Sequence, residues 1–323
     1  MRKEDLDAII RWRQRLAENE VAHDLLIAEA GCRSVIARRK RSQLVCGGAG
    51  IGKTELVKTL CREAKINCVI IEPRSYASLY QSLWIHREAA LLVLDDNDRL
   101  AKDTEMVNLV KQLTNPAGIV RYDSVPIVKN AAKHMPDPNI PAPEFSVKPG
   151  CIWLANPDYT DEDNITPAMK PHWDALVSRN LNPRLVRTTN QQHVFDYTLD
   201  LMVRRYMLRR LGLTLEDSNV ALGFFLDNAE HLYEVTPRQA FNLANARMRL
   251  RRDQVLTDDV WRAEAATYLK PKPMRRLDRP LGLRIIAPHQ RPTVTLPPGW
   301  RPGSATRCSD TARAASELGS SDK

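Results

Sequence analysis

The feature that most restricts this chain's fold is a join. The run Gln43-Leu44-Val45-Cys46 passes directly into Gly47-Gly48-Ala49-Gly50-Ile51-Gly52-Lys53-Thr54. The spacing is G-x-x-x-x-G-K-T, with a buried strand expected before it and a helix after it, which is the context a phosphate-binding loop requires. Glycines let successive N–H groups converge on one point without Cβ obstruction, and the positive end of the following helix adds to the attraction for an anion. Lys53 is then expected to reach the β and γ phosphates of a nucleotide, and the Thr54 hydroxyl to ligate Mg²⁺. The predicted nucleotide-binding set is Gly47, Gly48, Ala49, Gly50, Ile51, Gly52, Lys53, Thr54 and Glu55. The alternative, a Gly-rich turn that only caps an ordinary helix, leaves the match at all four fixed positions unaccounted for.

Such a loop needs a carboxylate at the end of a neighbouring strand. Leu91-Leu92-Val93-Leu94 followed by Asp95 and Asp96 supplies it, the apolar residues fixing the strand in the core and its carboxyl end pointing the acids at the phosphates. Asp95 is assigned to the Mg²⁺ shell and Asp96 to orienting the attacking water as general base. Further strands are expected over Ile66–Glu72, Cys151–Asn156 and Arg184–Thr188, with helices between them, so the fold class is α/β with a parallel sheet covered on both faces. After Asn190 the spacing is helical only, over Gln192–Leu211, Asp217–Glu234, Pro237–Arg252 and Thr257–Leu269, with Thr236 as the cap before Pro237. The predicted organisation is a helical N-terminal segment and linker (1–41), a phosphate-loop α/β domain (42–190), a helical domain (191–269) and a disordered basic tail (270–323).

Charge enters the argument at that tail. The 323-residue chain carries a formal +9, and from Lys270 onward there are eleven Lys and Arg against four Asp and Glu, among many prolines. A basic arm of this kind either neutralises nucleic-acid phosphates or simply keeps the chain solvated, and composition leaves both open. No apolar run approaches the ~18 residues of a membrane span, and MRKEDLDAII lacks a signal-peptide core, so no membrane partner and a cytoplasmic location are expected. The six cysteines form no C-x-x-C pair and are read as buried thiols, not as metal ligands or disulfides.

Taken in order, these residues resemble the AAA+ ATPases from about Gln43 to about Leu269. The loop is similar to their Walker A and LLVLDD to their Walker B. The resemblance implies that Asn156 is the sensor 1 residue, that Arg179 in Asp174-ALVSR-Arg179 is the arginine finger (with Arg184 as its rival), and that Arg238 in Thr236-PRQA-Ala240 is the sensor 2 arginine of a helical lid. It also implies ATP and Mg²⁺ as cofactors and a homo-oligomer, a six-membered ring or open spiral, in which Arg179 acts on ATP held by a neighbour. The family commonly has Glu where Asp96 stands, which bears on the rate of hydrolysis.

The client is less constrained. The insertion over 117–150 reads either as a hairpin with Lys129, Lys133 and His134 at a basic tip, as in DNA-acting members, or as a surface excursion. The lid arginines 204, 205, 209, 210 and 247–252 either line a phosphate-facing surface or pair with neighbouring acids. Tyr76 is not followed by the glycine of a polypeptide-gripping pore loop. The plan is most similar to small AAA+ proteins of phage or mobile-element replication, including helicase loaders and transposition ATPases. That implies DNA as partner, together with a replicative helicase or another replication or transposition protein. A protein remodeller and a slow nucleotide-dependent scaffold are the alternatives.

Overall fold

The structure, a computed structural model, describes residues 3–96, 103–121, 141–178, 183–281 and 283–285. Two helices lead, α1 (Lys3–Ala17) and α2 (Glu20–Ile36), the second capped by Asn19, whose side chain accepts from the Ala22 N–H. Then come β1 (Ser42–Gly47), α3 (Lys53–Glu63), β2 (Cys68–Ile71), α4 (Tyr76–Ile85), β3 (Leu91–Leu94) and α5 (Thr104–Thr114). They are followed by β4 (Ile119–Arg121), β5 (Glu144–Ser146), β6 (Gly150–Ala155), α6 (Lys170–Leu176) and β7 (Arg184–Val186).

Strands β2, β3, β6, β1 and β7 form, in that order, one parallel sheet, as the alternation of apolar runs and helices predicts. Because side chains alternate across a strand, each central strand feeds two cores. Val45, Val93 and Ile152 enter one core, with α1, α2, α3 and the C-terminal helices; Leu44, Leu92 and Trp153 enter the other, with α4, α5 and α6. The insertion does contain a short antiparallel pair, β4 with β5. Arg41 ties it to the sheet, its guanidinium donating to the carbonyls of Leu113, Val147 and Lys148. The expected tip residues Lys129, Lys133 and His134 lie outside the described residues.

The helical part comprises α7 (Gln191–Val203), α8 (Met207–Arg210), α9 (Leu215–Asn228), α10 (Pro237–Arg252) and α11 (Asp258–Ala266). The single helix expected over Gln192–Leu211 is broken at Tyr206, whose φ of 54° puts it in the left-handed region. Helix α10 begins where expected, but the Thr236 side chain makes no capping bond; its hydroxyl donates to Glu234 Oε2 at 2.9 Å.

A larger difference concerns the tail. Residues 270–281 and 283–285 are not a free arm but a strap laid on the helices. The Lys270 N–H donates to His231 O (2.8 Å), Met274 N–H to Glu230 O (2.7 Å), and Ile285 N–H to Asn219 Oδ1 (2.8 Å). Asp278 takes Arg11 and Arg15 from α1 and its N–H donates to Gln192 Oε1. An extended strand of contacts to backbone carbonyls needs no apolar period, so the sequence pattern hid it. Met1–Ile285 form one compact unit. Among the described residues no helix is long and apolar enough to cross a membrane.

Candidate nucleotide site

The loop between β1 and α3 is shaped by its glycines where they are needed. Gly50 has φ 77° and Gly52, the N-cap of α3, has φ 98°, both in the left-handed region. Ile51 is fully buried and pins the loop into the core, while Ala49 beside it is exposed. A Cβ on Gly48 would meet the Thr188 hydroxyl at 2.5 Å, so the chain after β7 packs directly on the loop. That chain is fixed in turn by Arg187, whose N–H and guanidinium both donate to Asp24 of α2. Burial alone would raise the Asp24 carboxyl, but the Arg187 hydrogen bonds and charge outweigh it and hold it below the usual carboxylate range.

Lys53 is buried and donates to Gly47 O (2.6 Å), Gly48 O (3.0 Å) and Asn156 Oδ1 (3.1 Å). The Thr54 hydroxyl donates to Asp95 Oδ2 at 2.7 Å, and the other oxygen, Oδ1, accepts the Asp96 N–H at 3.0 Å. The sheet order explains this meeting. Strand β6 lies between β1 and β3, so Asn156 at its carboxyl end stands between the loop and the acids. Three strand ends thus converge where ligands bind in open parallel sheets. Asp96 is exposed, and its φ of 49° turns the chain sharply away from the strand; aspartate is among the few residues that tolerate that region.

The remaining predicted site residues divide. Arg238 is brought in: its N–H donates to Gly50 O at 3.1 Å, and a Cβ on Gly50 would lie 2.9 Å from Arg238 Cβ. Its side chain is exposed, with no ion pair among the described residues. Glu55 is turned outward onto Arg62 (2.6 Å). Arg184 opens β7 in register with Val45, two residues before Gly47, and lies near Lys40. Arg179 lies outside the described residues. Two neighbours of the loop escaped the sequence reading: Thr188, just past a strand end, and Glu234, whose only signal is standing two residues before Thr236.

The arginines of the helical part settle mostly on nearby acids. Arg204 and Arg205 hold Asp200, Arg247 and Arg251 hold Asp217, Arg249 holds Glu264, and Arg252 holds Asp253. Cys32, Cys46, Cys61 and Cys151 are buried free thiols, and burial pushes the first three up to about 12 and Cys151 further. They are protonated and unreactive at neutral pH.

No known family profile matches the chain. It is 28% identical over 232 residues, 70% of this chain and 67% of the other, to an uncharacterized 36.7 kDa protein of enterobacteria phage T4 from the nrdC–mobD intergenic region. Among solved structures it is similar to a mutant RuvB of Thermotoga maritima, at 14% identity and a TM-score of 0.42, over 76% of this chain and 69% of that one. It is also similar to NtrX of Brucella abortus in complex with ADP, at 13% identity and a TM-score of 0.43, over 77% of this chain but only 55% of NtrX.

Proposed function

We propose that the chain is an AAA+ ATPase that binds ATP and Mg²⁺, works as an oligomer and acts on DNA. The observation that carries the ATPase reading is the convergence of Lys53, Asn156, Thr54 and Asp95 from three adjacent strands onto one glycine-built loop. The fit to a nucleotide rests on that donor set. A cradle of backbone N–H groups with a buried lysine suits phosphate oxygens, and a hydroxyl beside a carboxylate suits a hard divalent cation. Bound Mg²⁺ would neutralise charge that develops on the phosphates.

This chain's own residues divide the remaining work. The loop amides and Lys53 hold the phosphates, and Thr54 and Asp95 hold the metal. Asp96 takes the proton of the attacking water as general base, and Asn156 orients that water. Arg238 reaches over the nucleotide from the lid. Arg179 of one subunit acts on ATP held by the next. DNA as the client draws support from the eleven Lys and Arg against four Asp and Glu from Lys270 onward, since most of the lid arginines are already paired.

The test is ATP turnover of the full chain alone, with single- or double-stranded DNA, and with an unfolded protein. Stimulation by DNA is expected. Stimulation by unfolded protein alone identifies a remodeller, and turnover that neither raises identifies a slow scaffold. Arg179→Ala mixed with Lys53→Ala is expected to regain partial activity as subunits exchange; mixed oligomers without activity make Arg184 the finger to test in the same way.

A further inference from the structure

The crest of the phosphate loop carries an acid that a polyphosphate site would not be expected to keep. A Cβ on Gly50 would lie 2.9 Å from Thr236 Oγ1 and 3.4 Å from Glu234 Oε2, so this carboxylate stands against the loop's outermost turn. It is half-buried and held there by the Thr236 hydroxyl at 2.9 Å. A cation stands close by on a different element. Arg275 of the strap donates through one guanidinium nitrogen to Tyr233 O at 3.1 Å, while its other terminal nitrogen is buried and makes no hydrogen bond among the described residues. Glu234 is the charge that acts on Arg275 in favour of its protonated form, against a larger opposing effect of burial. A buried guanidinium N–H left without an acceptor is costly, and Arg275 is anchored on Tyr233 O, the residue next to this carboxylate.

We propose that Glu234 is an anion gate on the phosphate loop and that Arg275 is its positioning residue: the carboxylate on Thr236 opposes a polyphosphate at the loop, and its transfer to the free Arg275 N–H removes that opposition. The inference rests on the nucleotide-binding reading above. In the first arrangement Glu234 bonds the helix-start hydroxyl and its charge faces the loop. In the second it forms a charge-assisted pair with Arg275, its field at the loop is offset, and Thr236 is released to cap α10 in the usual way. Nucleotide binding and the docking of the strap are thereby coupled, since Arg275 is held in place only while residues 270–281 lie on the helices.

The experiment is equilibrium titration of a fluorescent ADP into the full-length protein, its Glu234→Gln, Arg275→Gln and Arg275→Lys variants, the Glu234→Gln/Arg275→Gln double variant, and Lys53→Ala as control. Glu234→Gln is expected to bind about ten-fold more tightly, equivalent to ~1.4 kcal/mol, with the gain shrinking at high salt. Arg275→Gln is expected to bind several-fold more weakly, Arg275→Lys to recover most of that loss, and the double variant to match Glu234→Gln alone. If wild-type protein binds ADP and Lys53→Ala does not, but Glu234→Gln leaves affinity within two-fold, the gate is refuted and the nucleotide site stands. If Arg275→Gln weakens binding as much without Glu234 as with it, Arg275 does not act through the gate, and the proposal falls. If wild-type protein and Lys53→Ala bind ADP equally poorly, it is the nucleotide-binding reading that fails.

Discussion

Two arginines on one helix show how differently the same side chain is used. Arg247, in the last half of α10, is buried, donates to Asp217 at 2.7 Å and lies 5.3 Å from the ring centre of Trp261. Arg238, in the first turn, is exposed, forms no ion pair among the described residues, and has its backbone against Gly50. The first is locked by a carboxylate that its own helical unit supplies. The second is left at the positive end of α10 beside the glycine loop, with no ion pair among the described residues. The difference teaches that in this basic chain a count of arginines says little about phosphate contacts; pairing decides.

The contrast is sharpest in the loss of function. Arg238→Ala should lower ATP turnover by roughly 10²-fold or more, the scale of removing one donor to transition-state charge, with no change in melting temperature. Lys53→Ala should abolish turnover and weaken binding as well, and Asp96→Asn should bind ATP and hold it. Separate measurement of bound nucleotide and turnover distinguishes the three, and normal hydrolysis by Asp96→Asn would remove it as the base.

Arg247→Ala should show the reverse pattern. Removing one partner of a buried pair costs about 3–5 kcal/mol, so a melting temperature lowered by roughly 10 °C is expected, with turnover per folded molecule nearly unchanged. A similar thermal loss for Arg238→Ala would erase the distinction between the two arginines.

Acid provides a smaller, independent probe. Burial alone would raise the Asp217 carboxyl, but hydrogen bonds from Thr214 and Arg247 and the charges of Arg247 and Arg251 hold it below its ordinary value. A depressed carboxylate contributes stability that is complete above its unfolded value, about pH 4, and is lost as pH falls through the folded value. Asp24 and Asp278 are depressed too, by Arg187 and by Arg11 and Arg15 against the same burial effect. Unfolding followed from pH 5 downward should therefore show declining stability, and Asp217→Asn should flatten part of that slope. At the small end, Arg204→Ala should change stability by less than about 1 kcal/mol, since Arg204 is itself exposed and the buried Asp200 keeps Arg205 at 2.9 Å.

What could be read from the sequence follows from how each feature is encoded. The strands of the sheet are contiguous apolar runs, and the loop is a fixed spacing, so Lys53, Thr54, Asp95 and Asn156 could be placed near one another before any coordinates. Helix α6 was not anticipated, because it is short and carries Pro171 in its first turn. The break at Tyr206 leaves no Gly or Pro as a marker. Pairing in the lid joins residues such as Asp217 and Arg247 that are distant in the chain, and Glu234 is visible only once α10 is laid against the loop. The strap looked like tail because proline-rich extended backbone held by carbonyls has no period. A truncation meant to remove the basic arm therefore belongs after Ile285; a cut after Leu269 would also remove Asp278, Arg279 and the contacts that Arg15 depends on.

That strap has a consequence for the order in which the molecule is made. Arg15 lies on α1, yet Asp278, one of its two acids, is synthesised 263 residues later. Synthesis at about 5–20 residues per second separates the two by tens of seconds. Until Asp196 is made, 181 residues after it, Arg15 has neither acid, and from then until Asp278 emerges it has only one. The clasp between α1 and residue 278 can therefore close only after the phosphate loop and the strand-end acids Asp95 and Asp96 have both been made.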